Sequence, residues 1–202
     1  MDKSERGFKT MKKLPIGIQS FKSIREDNYY YVDKTPFVKK LVDNGKYFFL
    51  SRPRRFGKSL FVDTLKQAFL GNKQLFEGLY LEKNWDWSKK YPVIHIDFGS
   101  RNVSDVNLLK RWIIEQLKEH ITIYNIKIEE EDDYGFLFRK LILKLYQEYK
   151  TQVVVLVDEY DKPILDRIED TQKVIEIREV LKDFYSVLKT AEPYLKFVFL
   201  TG

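Results

Sequence analysis

Apolar positions along the chain alternate between short dense runs and longer stretches with helical spacing. Lys46–Leu50 (KYFFL), Pro92–Phe98 (PVIHIDF), Val153–Val157 (VVVLV) and Lys196–Leu200 (KFVFL) are the runs, and each predicts a strand. The Val-rich run is β-branched and has no polar interruption, as expected of a parallel strand covered on both faces. Between the runs lie the predicted helices. Thr35-Pro36 opens one, with Thr35 as cap and Pro36 at the first helical position, and Asn44-Gly45 closes it. Lys58–Leu70 is a second, ending near Gly71-Asn72. Ser104 caps a third, whose Val106, Leu109, Ile113 and Leu117 share one face. Phe136–Tyr149, apolar over most of its surface, and Lys173–Thr190 complete the set. Strands alternating with helices predict an α/β fold with an open parallel sheet flanked by helices. Thr201-Gly202 directly follows a strand with no covering helix after it, so a domain incomplete at its C-terminus is expected.

Composition narrows the chemistry. With 44% hydrophobic residues in 202, the chain is long enough for one domain with a proper core. Charged residues make up 33% and mean hydropathy is −0.42. No apolar run approaches the roughly 20 residues that cross a bilayer. Residues 1–13 are polar and basic, unlike a secretory signal, and read as a flexible leader in which Met11 is a second candidate start. A cytoplasmic chain without a membrane partner is expected. There are no cysteines, which excludes disulfides, thiolate nucleophiles and Cys-based zinc sites. His95 and His120 both sit in apolar surroundings and read as structural. Glu129–Asp133 is an acidic run that reads as a solvated loop between helices.

The net charge of +6 is uneven. Residues 1–60 hold 15 Lys and Arg against 6 Asp and Glu, while the rest of the chain is slightly acidic. A nucleotide phosphate accounts for part of that excess, and a nucleic-acid or protein partner of the basic N-terminal third would account for more.

Candidate chemistry concentrates at two strand ends. The loop Ser51–Gly57 joins a strand to a helix and runs Arg52-Pro53-Arg54-Arg55-Phe56-Gly57-Lys58-Ser59-Leu60. This is the P-loop pattern G-x-x-x-x-G-K-[ST] with Arg52 in place of the first glycine. Gly57 lets the backbone approach phosphate, and the N–H groups opening the helix attract an anion. Lys58 is suited to the β- and γ-phosphates, and the Ser59 hydroxyl to Mg²⁺. Arg54, Arg55, Phe56 and Leu60 complete the candidate nucleotide-binding set; a guanidinium there would grip phosphate in bidentate fashion or simply face solvent. Arg52-Pro53 must make its turn without the glycine's backbone freedom. The second strand end is Val157-Asp158-Glu159, similar to a Walker B element. In an open α/β sheet ligands gather at the carboxyl ends of strands, which would bring Asp158 to the same edge as Ser59. There Asp158 would hold Mg²⁺ through water, and Glu159 would orient or activate the attacking water. Thr201 is a weaker candidate γ-phosphate sensor; Asp97 is a further candidate near the metal, or a helix cap.

Leu14-Pro15-Ile16-Gly17, Tyr31-Val32-Asp33-Lys34-Thr35, the loop Phe49–Ser59, Leu75–Leu79 and Asp158-Glu159-Tyr160-Asp161-Lys162-Pro163 together resemble the AAA-ATPase-like family of P-loop ATPases. The resemblance covers nearly the whole chain from about Lys12 and implies that Arg52 is that family's own form of the loop. It implies an ATPase using ATP and Mg²⁺. Such proteins often carry a nuclease-like domain of the PD-(D/E)xK type, which nothing in this sequence matches. The expected function is ATP binding with slow Mg²⁺-dependent hydrolysis. Two other readings stay open: a nucleotide-gated module with little turnover, and a nucleic-acid-binding protein.

Overall fold

The structure, a computed structural model, describes residues 12–129 and 131–202. The expected leader falls almost wholly on residues 1–11, and Glu130 of the acidic run is likewise outside the described residues. Four strands form one sheet: β1 (Tyr47–Leu50), β2 (Val93–Asp97), β3 (Val153–Asp158) and β4 (Leu195–Thr201). Their order is β1-β4-β3-β2 and every pairing is parallel, so the expected open parallel sheet is present.

That order dictates where the helices go. The chain leaves β1 at one edge, crosses to β2 at the other, then steps back through β3 to β4. Crossovers between parallel strands are right-handed, so reversing the direction of travel puts the two sets of helices on opposite faces. On one face lie α1 (Phe21–Glu26), α2 (Thr35–Asn44), α3 (Lys58–Phe69) and α4 (Tyr80–Asn84). They pack Phe21, Val38, Leu65, Phe69 and Leu81 against Val154, Leu156, Phe197 and Phe199. On the other lie α5 (Val106–Ile123), α6 (Tyr134–Tyr149) and α8 (Thr171–Thr190), with Leu109, Ile113, Leu141 and Phe184 against Ile94, Ile96, Val155 and Val157. The short α7 (Lys162–Leu165) leads into α8. All six residues of β3 are buried, which explains its unbroken apolar run. Strand β1 is an edge: Tyr47 and Phe49 remain exposed, with Phe49 edge-on to Tyr160.

Several local expectations shift. Lys34, not Thr35, occupies the cap position of α2; the Thr35 N–H is taken by Asp33 Oδ1 (2.8 Å), and the Thr35 hydroxyl is buried, accepting from the Leu81 N–H (3.1 Å). The cap of α5 is Asp105, whose carboxylate accepts from Leu108 N (2.9 Å), while Ser104 donates to that carboxylate. Helix α6 begins at Tyr134, two residues early, because Asp133 caps it through the Phe136 N–H. Its outer face carries the exposed Phe136 and Tyr149, so its burial is one-sided.

The two histidines meet across β2 and α5, where the His95 N–H donates to His120 Nε2 (3.0 Å). Burial, with Lys66 nearby, pushes the His95 imidazole down to about 4; burial pushes His120 down as well. The unfolded chain takes up these protons near pH 6.5 and the fold does not, so stability falls as pH drops from about 6.5 toward 4. We expect His95 to account for on the order of 3 kcal/mol of that loss. Urea unfolding from pH 7 to 4.5 checks it, and a flat profile would contradict the buried neutral state.

Candidate functional site

Loops after β1 and β3 leave the sheet toward opposite faces, with β4 between them. This opens a crevice at the carboxyl ends of the strands, where α/β sheets receive ligands. The register aligns Leu50 with Thr201 and Val157 with Leu200, so the loop after Leu50, Thr201 and Asp158 share one edge. Adjacent strands are about 4.8 Å apart, so the two ends of the candidate site lie roughly 10 Å apart before side chains reach across.

On the β1 side, residues 51–57 form an exposed loop, and Lys58 opens α3 with only 8% of its surface exposed. Its Nζ donates to Arg52 O (2.9 Å) and lies 3.5 Å from Pro53 O, so the ammonium is held within its own loop. Left-handed backbone falls at Arg55 (φ 67°) and Gly57 (φ 76°), not at Arg52. The missing first glycine is thereby explained: the loop turns further along, and Arg52 instead donates its N–H to Gly202 O beside it (3.3 Å). A non-glycine residue in that region costs on the order of 1 kcal/mol, which the surrounding loop must offset. Gly57 brings no side-chain cap, leaving the first N–H groups of α3 open to an anion. Arg54, Arg55 and Phe56 are exposed, and neither arginine makes an ion pair among the described residues. Ser59 and Leu60 are half-buried on the first turn of α3.

Two clefts flank Gly57. One, of about 500 Å³, runs along α2 and β1 between Phe37, Leu41, Phe48, Phe49 and Phe56. The other, of about 550 Å³, lies between Leu60 and the segment carrying Leu14, Pro15, Tyr30 and Val32. Lys34, Gly57 and Phe61 line both.

On the β3 side, Asp158 is buried and its Oδ1 accepts the Thr201 hydroxyl and the Glu159 N–H (3.1 Å). Thr201 belongs to β4 itself, and its carbonyl accepts from Tyr160 N (2.9 Å). Glu159 stands in left-handed backbone (φ 50°), fixed by these contacts and by a 3.3 Å approach of its N–H to the Thr201 hydroxyl. Its carboxylate turns toward β2. A Cβ on Gly99 would lie 2.7 Å from Glu159 Oε2 and 3.1 Å from Asp97 Oδ1, so a larger residue there would push the Glu159 carboxylate from this place. Asp97 is no helix cap: it ends β2 and accepts the Gly99 N–H (2.7 Å). Burial, together with neighbouring Asp158, pushes its carboxyl up from the usual range.

The candidates thus fall into a cationic half (Arg52, Arg54, Arg55, Lys58, with Ser59) and an acidic half (Asp158, Glu159, with Thr201) on one edge. Asp97 joins the acidic half, whereas the histidines belong to the core. Lys34 and Gly99 also line this edge; Lys34 lies in the Tyr31–Thr35 stretch that carries the resemblance, but nothing in that stretch ties it to phosphate, and Gly99 has no local pattern that marks it. Lys34 is brought in by tertiary packing, and Gly99 is recognisable only through the carboxylate above it. Among the described residues no cluster of three or more His, Asp or Glu has the arrangement of a metal site, and no helix is long and apolar enough to cross a membrane.

The family described as Predicted AAA-ATPase matches residues 15–202. Over 192 residues the chain is 46% identical to a protein of Azotobacter chroococcum mcd 1 described as "Uncharacterized protein in vnfD 5'region". The alignment covers 95% of this chain and 37% of that relative, so the chain spans little more than a third of the relative's length. No solved structure matches.

Proposed function

The chain belongs to the predicted AAA-ATPase family, and from that premise we propose that it binds ATP with Mg²⁺ across the shared edge and hydrolyses it slowly. One observation carries the reading: parallel pairing with β4 in the middle brings the Lys58 loop and the Asp158 strand end to the same edge. Charge supports it. Lys34, Arg52, Arg54, Arg55 and Lys58 make no ion pair among the described residues, leaving a surplus that a polyphosphate would neutralise.

The donor set fits a magnesium nucleotide. Lys58 would exchange its loop carbonyls for the β- and γ-phosphates, and the open N–H groups of α3 would bind the phosphate chain. Ser59 and Asp158 would hold Mg²⁺, which needs few protein ligands and supplies charge neutralisation at the phosphate oxygens. The Thr201 hydroxyl, which donates to Asp158, would sense the γ-phosphate. Glu159 would orient the attacking water.

A nucleotide-gated module with little turnover is the second reading. It is favoured by the Glu159 carboxylate lying against Gly99, on the side of β3 away from β1. ATP would then bias a conformation that a partner reads.

Titration with ATP and Mg²⁺ tests the reading. Binding of the folded state at about 100 times Kd adds about 2.7 kcal/mol, so Tm rises by several degrees. Chelating the metal with EDTA is expected to weaken ATP binding about tenfold, the worth of roughly one charge-assisted contact. No shift at millimolar ATP with Mg²⁺ would overturn the proposal. Measured phosphate release separates the ATPase from the gated module.

A further inference from the structure

Lys34 stands where a lysine has little local reason to be. It occupies the cap position of α2, a ten-residue helix, yet makes no side-chain cap bond. Cap positions favour Ser, Thr, Asp or Asn, and a helix N-terminus is the end at which a positive charge is disfavoured. Its backbone is nevertheless pinned on both sides. Asp33 accepts the Thr35 N–H through Oδ1 (2.8 Å) and the Tyr80 N–H through Oδ2 (2.7 Å), and the buried Thr35 hydroxyl accepts the Leu81 N–H (3.1 Å). Two neighbours thus anchor the segment to α4 and leave only the Lys34 side chain free. That side chain reaches the phosphate loop: its Nζ lies 3.9 Å from where a Cβ on Gly57 would stand. It lines both clefts that flank Gly57, and it has no carboxylate partner among the described residues.

A cation on a fixed backbone beside left-handed Gly57 and the first N–H groups of α3 suits an anion shared between the two helices. We propose that Lys34 is a second phosphate-binding cation of this site, gripping from the α2 side of Gly57 the same polyphosphate that Lys58 binds. The inference rests on the nucleotide-site reading above and adds a residue outside the loop motif. It also assigns work to the anchored segment: Asp33 and Thr35 set the position from which Lys34 reaches, so loss of their bonds to α4 acts on phosphate affinity through Lys34.

The test is calorimetric titration of wild type, Lys34→Met and Lys34→Arg with Mg²⁺-ATP, Mg²⁺-AMP and tripolyphosphate. Methionine keeps the stem and removes the charge. The expected result is about a tenfold loss of affinity for ATP and tripolyphosphate in Lys34→Met, a loss of less than threefold for AMP, and near-complete rescue in Lys34→Arg. Unchanged Tm without ligand shows that the fold is intact. Wild-type affinity for ATP in Lys34→Met overturns the proposal, and so does an equal loss for AMP and ATP, which marks a general structural effect. Wild type binding tripolyphosphate but not ATP would refute the nucleotide reading while still scoring Lys34. Wild type binding neither overturns both.

Discussion

Lys58→Ala is expected to weaken ATP binding at least about 100-fold while leaving the fold as stable as before. A loss of that size corresponds to about 2.7 kcal/mol, what an ammonium with two charge-assisted phosphate contacts should supply. The structure separates this effect from damage to the fold. Lys58 is the first residue of α3, where the helix dipole disfavours a positive charge, and alanine is a better helix former there. Among the described residues its side chain bonds only the carbonyls of Arg52 and Pro53, both in the exposed loop, where water can replace the amine. Urea unfolding of the apo variant should therefore match wild type, while the ATP-induced rise in Tm disappears. A variant that keeps the ATP shift would place the phosphates elsewhere and sink the nucleotide site. A variant that unfolds early would instead make Lys58 a strut of the loop.

What the chain discloses locally and what it conceals divide along physical lines. Strand β3 was legible because burial on both faces demands an unbroken apolar run, and two carboxylates closing such a run stand out from it. The phosphate loop was legible because Gly57, Lys58 and Ser59 each answer a steric or electrostatic need at a fixed spacing. Strand order was not, since no residue of β4 announces that it inserts between β1 and β3; that follows from how Phe197 and Phe199 pack under α3. Helices α1 and α4 have six and five residues, too few to show a period, and exist because Phe21 and Leu81 are buried in the same cluster as Phe76.

The caps moved by one residue for two different reasons. At α2 the Thr35 hydroxyl is taken by the Leu81 N–H of α4 and Asp33 holds the Thr35 N–H, whereas at α5 the Asp105 carboxylate takes the Leu108 N–H in place of the Ser104 hydroxyl. Arg52 is similar. Its departure from the P-loop pattern looked costly only while the first position was assumed to need a left-handed angle. Placing that angle at Arg55 and Gly57 removes the objection.

Glu159→Gln is expected to lower phosphate release about 100-fold or more with little change in ATP affinity, the usual range for loss of a positioned general base being 10²–10⁴. The substitution is isosteric, so the packing over Gly99 and the backbone bonds to Asp158 and Thr201 survive. What it removes is one of three carboxyl groups gathered at the ends of β2 and β3. Relieving that repulsion should leave the apo protein equal to or slightly more stable than wild type. The left-handed backbone at Glu159 strengthens the expectation: such a conformation costs on the order of 1–3 kcal/mol in a non-glycine residue and persists where surrounding contacts enforce it, often for function. In the resting arrangement the carboxylate lies on the β2 side of Asp158, away from Lys58. Under the proposed reading, hydrolysis would require a change of rotamer toward β4 once phosphate drew the Thr201 hydroxyl off Asp158. Gly99→Ala probes that route from the other side, since a Cβ 2.7 Å from Glu159 Oε2 must displace the carboxylate from its resting place. Phosphate release measured for both variants decides the matter: normal release by Glu159→Gln would remove Glu159 from the chemistry and leave the gated module as the better account of this edge.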